Sequence, residues 1–207
     1  MDDCGRPDRQ VFDPASRAYP AAAPFEFTIS TKVQQHTGAA SRGACIGGGA
    51  AAFRIAENWQ ILGDVSGCKM TDFGANLSGD SLTYLIGPRW TANPAERWTP
   101  YAQVLFGGMT LTHEEIDPAK RAQLEAIAAP EGSKLGFADH GRYSRHSEIT
   151  RFGASAGAGV DVKLTDAIAM RVADLEYLHS WNSSLNGIDY SNSLRFSAGL
   201  VLRFGTW

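Results

Sequence analysis

Ser144, His146 and Glu148 stand at alternate positions, so a β-strand would bring them to one face as hydroxyl, imidazole and carboxylate, the set that acyl hydrolysis uses. Three polar residues at alternate positions are also what the end of any strand beside a loop shows, and this plainer reading outweighs the hydrolytic one. His113, Asp139, His140 and His146 fall in the same polar stretch. No His-x3-His spacing accompanies them, so they read as solvated loop histidines, and neither a metal nor a cofactor is expected.

Cys45 and Cys68 lie at equal distances from a tight connection at Ile55 to Asn58. A hairpin centred between Ala56 and Glu57 would set them opposite each other, where an oxidising compartment would allow a cross-strand disulfide, whereas a one-residue slip would put them on opposite faces. Cys4 is left over near the start of the chain.

A larger set of charged residues falls on the polar side of period-two patterns: Glu26, Lys32, Asp64, Arg89, Arg151, Asp161, Lys163, Arg171, Arg195 and Arg203. The elements that carry them are strands. In the last stretch, Leu194, Phe196, Ala198, Leu200, Leu202 and Phe204 alternate with Ser193, Arg195, Ser197, Gly199, Val201 and Arg203. In the first, Phe25, Phe27, Ile29, Thr31 and Val33 alternate with Glu26, Thr28, Ser30, Lys32 and Gln34. Further strands are expected at Arg42 to Arg54, Trp59 to Lys69, Leu82 to Trp90, Tyr101 to Leu111, Arg151 to Leu164 and from Ile168, where the phase blurs near Asp174 and Glu176 and a bulge is expected. Glycine and aromatic residues are abundant, with 22 Gly, 10 Phe, 6 Tyr and 5 Trp, as tight bends and aromatic girdles require.

No apolar run approaches the roughly 20 residues that a membrane-spanning helix needs. With 19 basic against 22 acidic side chains there is no electrostatic case for nucleic acid. Residues 1–24 hold four prolines and no clear period, lack the basic start and apolar stretch of a secretory signal, and read as a tail outside the fold. Between His113 and Glu148 the strand pattern disappears, which points to a long outward loop there; Asp117-Pro118 can open a short helix in it, with Leu124 and Ile127 as its weak apolar side. The connections run long, short, long, short, very long, short, long. Eight antiparallel strands would then place every short turn at one end, together with Trp59, Trp90, Trp98 and Trp207.

Leu85 to Gly108 (LIGPRWTANPAERWTPYAQVLFGG), the segment FGASAGAGVDVKLTDAIAMRV from Phe152, and the closing SAGLVLRF resemble small outer-membrane β-barrels of the outer-membrane-protein-A type, in the group common in acidobacteria. The resemblance covers roughly Phe25 to the end and includes no catalytic motif. It implies insertion in the bacterial outer membrane, contact with its lipid, and a C-terminal strand read by the assembly machinery.

The expectation is therefore an all-β chain: an eight-stranded antiparallel up-and-down transmembrane β-barrel over residues 25–207, with a long outward loop at about 113–148. The charges would pair inside it, because an eight-stranded lumen is just wide enough to be filled by side chains and unpaired charge there is costly. The expected role is that of a non-enzymatic structural or surface-interaction protein whose loop partner the sequence does not name. The alternatives are an outer-membrane lipid-modifying hydrolase using Ser144 and His146, and a soluble barrel enclosing a small apolar ligand as lipocalins do.

Overall fold

The computed structural model describes residues 24–37, 42–71, 77–94, 96–128, 140–181, 184–185 and 188–205; the expected tail and Trp207 lie outside them. Eight long strands form one closed antiparallel ring: β1 (Phe25–His36), β2 (Arg42–Ala56), β3 (Trp59–Thr71), β4 (Leu77–Thr91), β5 (Trp98–Ile116), β6 (Ser144–Lys163), β7 (Ile168–Ser180) and β10 (Asn192–Phe204). A small hairpin, β8 (Ser184–Leu185) and β9 (Ile188–Asp189), sits in the connection before β10. Successive ring strands pair with one another, and β10 returns to β1 along a ladder running from Phe25 opposite Phe204 to His36 opposite Ser193. This is the expected eight-stranded up-and-down barrel.

Alternation sorts the two faces. Along β1 every even-numbered residue from Glu26 to His36 is buried, while Phe25, Phe27, Ile29 and Val33 are exposed. On the outer wall Ile86 is 61% exposed and Phe196 51%, whereas inside Arg89 and Arg195 are each 1% exposed. Charge is inside and hydrocarbon outside, the reverse of a water-soluble domain. No described helix is long and apolar enough to cross a membrane.

Bulges adjust the register where the sequence pattern blurs. On β7 one extra residue is accommodated next to Val172: Arg171 stands opposite Asp161, whereas Asp174 stands opposite Gly159. The shift carries the inward set from Ala169 and Arg171 to Asp174, Glu176 and Leu178. Along the β2–β3 hairpin, register shifts fall between Arg54 and Ala56 and between Cys45 and Gly47. The turn is one residue further along than expected, with Ala56 opposite Trp59, and the two shifts together restore Cys45 to a position directly across from Cys68.

The strands overrun the expected loops. β5 continues to Ile116 and β6 begins at Ser144, so the two ends of the span expected as a loop from 113 to 148 form a two-stranded ribbon, with Ile116 opposite Ser144 at its tip. β7 pairs with β6 only up to Gly153 opposite Ser180, so beyond that point one edge of the ribbon has no β7 beside it. The connection at the tip contains α1 (Pro118–Ala128) and the single-turn α2 (His140–Tyr143). Asp117 caps α1 as expected: its Oδ1 accepts hydrogen bonds from the backbone amides of Ala119 and Lys120, both at 3.1 Å. These bonds, that from Lys120 first, hold the Asp117 carboxyl below the usual carboxylate range.

Connection lengths separate the two ends less cleanly than expected, since residues 37–41 and 72–76 at one end are no longer than residues 92–97 at the other. Aromatic residues mark both borders of the apolar wall instead. Trp59 pairs with Trp90 near the short turns, with Trp98 exposed at the same end, while at the other end Trp181 packs on Phe152 with ring centroids 5.5 Å apart.

Two tyrosines lie against glycines on adjacent strands, Tyr101 over Gly159 inside the barrel and Tyr84 over Gly108 outside it. A Cβ at Gly159 would collide with the Tyr101 hydroxyl and come 2.6 Å from the Ala173 carbonyl oxygen. Gly159→Val is therefore expected to destabilise the barrel by about 1–3 kcal/mol. Urea unfolding in detergent measures this, and an unchanged midpoint would show that the Tyr101 ring does not rest on that strand.

Candidate functional site

The chemistry-bearing side chains gather in three layers inside the barrel. Nearest the short turns, Glu26 on β1 faces three guanidinium groups: Arg203 Nε at 3.2 Å, Arg54 Nη2 at 3.8 Å and Arg89 Nη1 at 3.9 Å. Arg89 also donates to Gln103 Oε1 at 3.2 Å and stacks on Tyr101, with its Cζ 3.9 Å from the ring centroid. Arg171 approaches the same ring at 4.7 Å and grips Asp161 through two bonds, Nε to Oδ1 at 2.9 Å and Nη2 to Oδ2 at 3.2 Å. Tyr101 thus stands between two cations, an arrangement that ring quadrupoles favour in a dry interior.

In the middle layer Lys32 Nζ bonds both oxygens of Asp64, at 2.7 and 2.6 Å. Arg195 reaches Asp64 at 3.8 Å, Glu176 at 3.3 Å and Ser66 Oγ at 3.2 Å. Glu176 accepts in turn from Ser155 Oγ at 2.5 Å, and Asp174 accepts from Ser197 Oγ at 3.0 Å. Leu62, Leu85, Leu105, Met109 and Leu111 from β3, β4 and β5 fill the lumen beside these charges. The third layer, at the opposite end, comprises Gln34, His36, His113 and Tyr190, with the Tyr190 hydroxyl 2.6 Å from His113 Nε2.

Of the ten charged residues expected inside the barrel, Glu26, Lys32, Asp64, Arg89, Asp161, Arg171, Arg195 and Arg203 are buried and joined as described. Arg151 is not among them. It is exposed, because it sits on the ribbon just past the point where β7 stops, so the inner face of β6 there meets water. Lys163 is partly exposed and pairs with Asp166 in the adjacent turn at 2.6 Å.

The sequence pattern missed Arg54, Tyr101, Asp174, Glu176 and Tyr190. The β7 bulge, which was foreseen, would have assigned Asp174 and Glu176 had its position been known. His113 is a second correction: it is not a solvated loop residue but a strand residue with 0% exposure. Asp139 lies outside the described residues, and among the described residues no cluster of His, Cys, Asp and Glu is arranged to hold a metal.

Ser144, His146 and Glu148 do share a strand, but it is the water-exposed ribbon. His146 Nε2 and Glu148 Oε2 are 3.9 Å apart, both mostly exposed, and among the described residues no hydrogen bond joins Ser144 to His146. Neither burial nor an ordered hydroxyl–imidazole pair is present to activate a nucleophile. Cys68 is disulfide-bonded, and the ladder sets Cys45 opposite it.

The barrel matches solved structures of similar size. It superposes on Neisserial surface protein A with a TM-score of 0.56 at 14% identity, covering 87% of this chain and 96% of that one. The fold is that of a small outer-membrane barrel. The outer membrane protein OprG from Pseudomonas aeruginosa gives 0.52 at 11% identity, covering 90% and 98%, and a major outer membrane protein from Thermus thermophilus gives 0.50 at 12%, covering 86% and 99%. No protein-family model and no curated protein matches the sequence.

Because Glu26 lies within 4 Å of Arg54, Arg89 and Arg203, removing it takes a shared carboxylate away from buried like charges. Glu26→Ala is expected to cost about 3–5 kcal/mol, read as a fall in the urea midpoint in detergent. An unchanged midpoint would mean that water, not Glu26, compensates these guanidinium groups.

Proposed function

We propose that this chain is a bacterial outer-membrane β-barrel of the outer-membrane-protein-A type, non-enzymatic, serving as a lipid-embedded anchor whose projecting ribbon and loops meet the outside. The inverted barrel carries this reading. A wall of Ile, Val, Leu and Phe side chains faces outward around a closed ladder, while buried carboxylates and guanidinium groups face inward. Lipid is the medium that stabilises such an outer face, and a closed ring leaves no unpaired strand edge in it. The tryptophans at the borders of the wall fit the two membrane interfaces.

An oxidising envelope compartment accounts for the disulfide on Cys68, whose partner in this reading is Cys45. The outward face of β10, with Leu194, Phe196, Leu200 and Phe204, is the strand that the outer-membrane assembly machinery would read. The β5–β6 ribbon and α1 form the largest projecting element and hence the surface for an external partner. The charge-filled lumen supports an anchoring role over a pore or a cavity for an apolar ligand.

The purified full chain is expected to require detergent and to migrate faster on a gel before boiling than after it. Monomeric solubility without detergent would contradict the membrane assignment. Ser144→Ala is expected to leave the lipid A mass spectrum of cells carrying the protein unchanged, and a mass shift that depends on Ser144 would instead make the chain a lipid hydrolase.

A further inference from the structure

Four polar atoms lie buried together near the short turns without partners. On β3 and β4 the amide nitrogen and oxygen of Gln60, the Nη2 of Arg89 and the hydroxyl of Thr91 make no hydrogen bond among the described residues. The three residues are 1%, 1% and 5% exposed, so bulk water does not solvate them. They are neighbours. Gln60 stands directly opposite Arg89 across the β3–β4 ladder and opposite Arg54 across the β2–β3 ladder, while Thr91 follows Arg89 two positions along the same face of β4. Buried polar atoms are costly to leave unpaired, and four at one place call for a partner from outside the chain. Three of the four can donate: Nη2 and the amide nitrogen carry two protons each and the hydroxyl one.

The charge around these donors is positive. Four guanidinium groups, those of Arg54, Arg89, Arg171 and Arg203, share this layer with two carboxylates, Glu26 and Asp161. Asp161 is taken up by the two hydrogen bonds from Arg171, which leaves Glu26 to face the other three. Arg54 also donates to the Glu57 carbonyl oxygen at 2.7 Å, and even with Arg54 set aside three cations face two anions. The described carboxylates of the turns at this end, Glu57, Glu96 and Asp166, are exposed, and Asp174 of the middle layer acts on Tyr101 and Arg171.

We propose that Gln60, Arg89 and Thr91 form a binding site for a small inorganic anion of the halide class, chloride above all. The site belongs to the lumen and does not depend on the medium outside the wall. A halide accepts several hydrogen bonds at once, which suits guanidinium, amide and hydroxyl donors on adjacent strands. Its charge offsets cations whose burial is otherwise incompletely compensated. Gln103 takes the Arg89 Nε proton at 3.2 Å, so Nη2 remains for the anion. A lumen filled by side chains favours a monatomic ion over a bulkier oxyanion. Water would serve the same donors without offsetting any charge, and the two occupants give different results below.

Crystals of the full chain soaked in sodium bromide and measured at the bromine absorption edge test the site. The anomalous map is expected to show a peak within hydrogen-bonding reach of Arg89 Nη2 and the Gln60 amide. In detergent at fixed ionic strength, with chloride exchanged for gluconate, urea unfolding gives the folded-to-unfolded ratio. That ratio is expected to rise about tenfold for each tenfold rise in chloride once the site is mostly filled. Gln60→Met keeps a side chain of similar length without the amide, and is expected to remove the peak and flatten the chloride dependence. Four outcomes overturn the proposal: water density without an anomalous peak beside Gln60 and Arg89, bromide only at exposed cations such as Lys120 and hence an adventitious ion only, equal stability in chloride and gluconate, or a chloride dependence that survives Gln60→Met. Should the variant fail to fold, the anomalous map and the chloride series of the unaltered chain decide the matter.

Discussion

Closure of the backbone ladder between β1 and β10 is the constraint on which the rest of the molecule depends. With Phe25 opposite Phe204 and His36 opposite Ser193, the ring has no edge, and every strand finds partners on both sides within the barrel wall. A hydrocarbon medium can surround such a wall without meeting an unpaired amide or carbonyl. Closure also fixes which side chains are inside. Once the ring is formed, the period of two leaves each residue only two destinations, the lumen or the outer face, and a bulge is the device that exchanges them.

The electrostatics of the interior follow from that sorting. Glu26, Asp64, Asp161, Asp174 and Glu176 share the lumen with Lys32, Arg54, Arg89, Arg171, Arg195 and Arg203. Cations are in excess by one among these eleven groups, and the excess is concentrated at Glu26, which serves three guanidinium groups. Arg89 also uses Gln103 and the face of Tyr101, so a neutral dipole and a ring quadrupole share the charge that Glu26 meets at 3.9 Å. Tyr101 in turn needs Gly159 beneath it, so a missing side chain on β6 is part of the same network. At the other end of the lumen Tyr190 lies between His36 and His113.

Where alternation was regular, the sequence alone placed side chains correctly: Glu26 and Lys32 on β1, Arg89 on β4, and Arg195 and Arg203 on β10 are all inward. Where it failed, the causes lie in the geometry between strands. The extra residue next to Val172 hid Asp174 and Glu176, because local pattern cannot say at which residue a strand changes phase. Arg151 was misplaced because its burial depends on where β7 ends, a fact about a neighbouring strand. Cys45 and Cys68 were paired by their equal distances from the turn, although two bulges, not a regular hairpin, bring them opposite. Tyr190 gave no signal at all, since a single aromatic residue among Ser, Asn and Asp becomes buried only through rings contributed by β1 and β5.

The central claim is that the outer wall faces hydrocarbon rather than water, and Ile86 tests it most directly. It is 61% exposed on β4, with Gly63 and Phe106 across the ladder, well inside the apolar wall. On a water-facing surface, Ile86→Arg would change stability by no more than about 0.5 kcal/mol. In lipid it would place a guanidinium group against acyl chains, at a cost of about 2–4 kcal/mol near the bilayer midplane. The measurement is the unfolding free energy of the Ile86→Arg variant in phospholipid vesicles relative to the unaltered chain. A loss of that size is the predicted result, and an unchanged or increased stability would contradict the account.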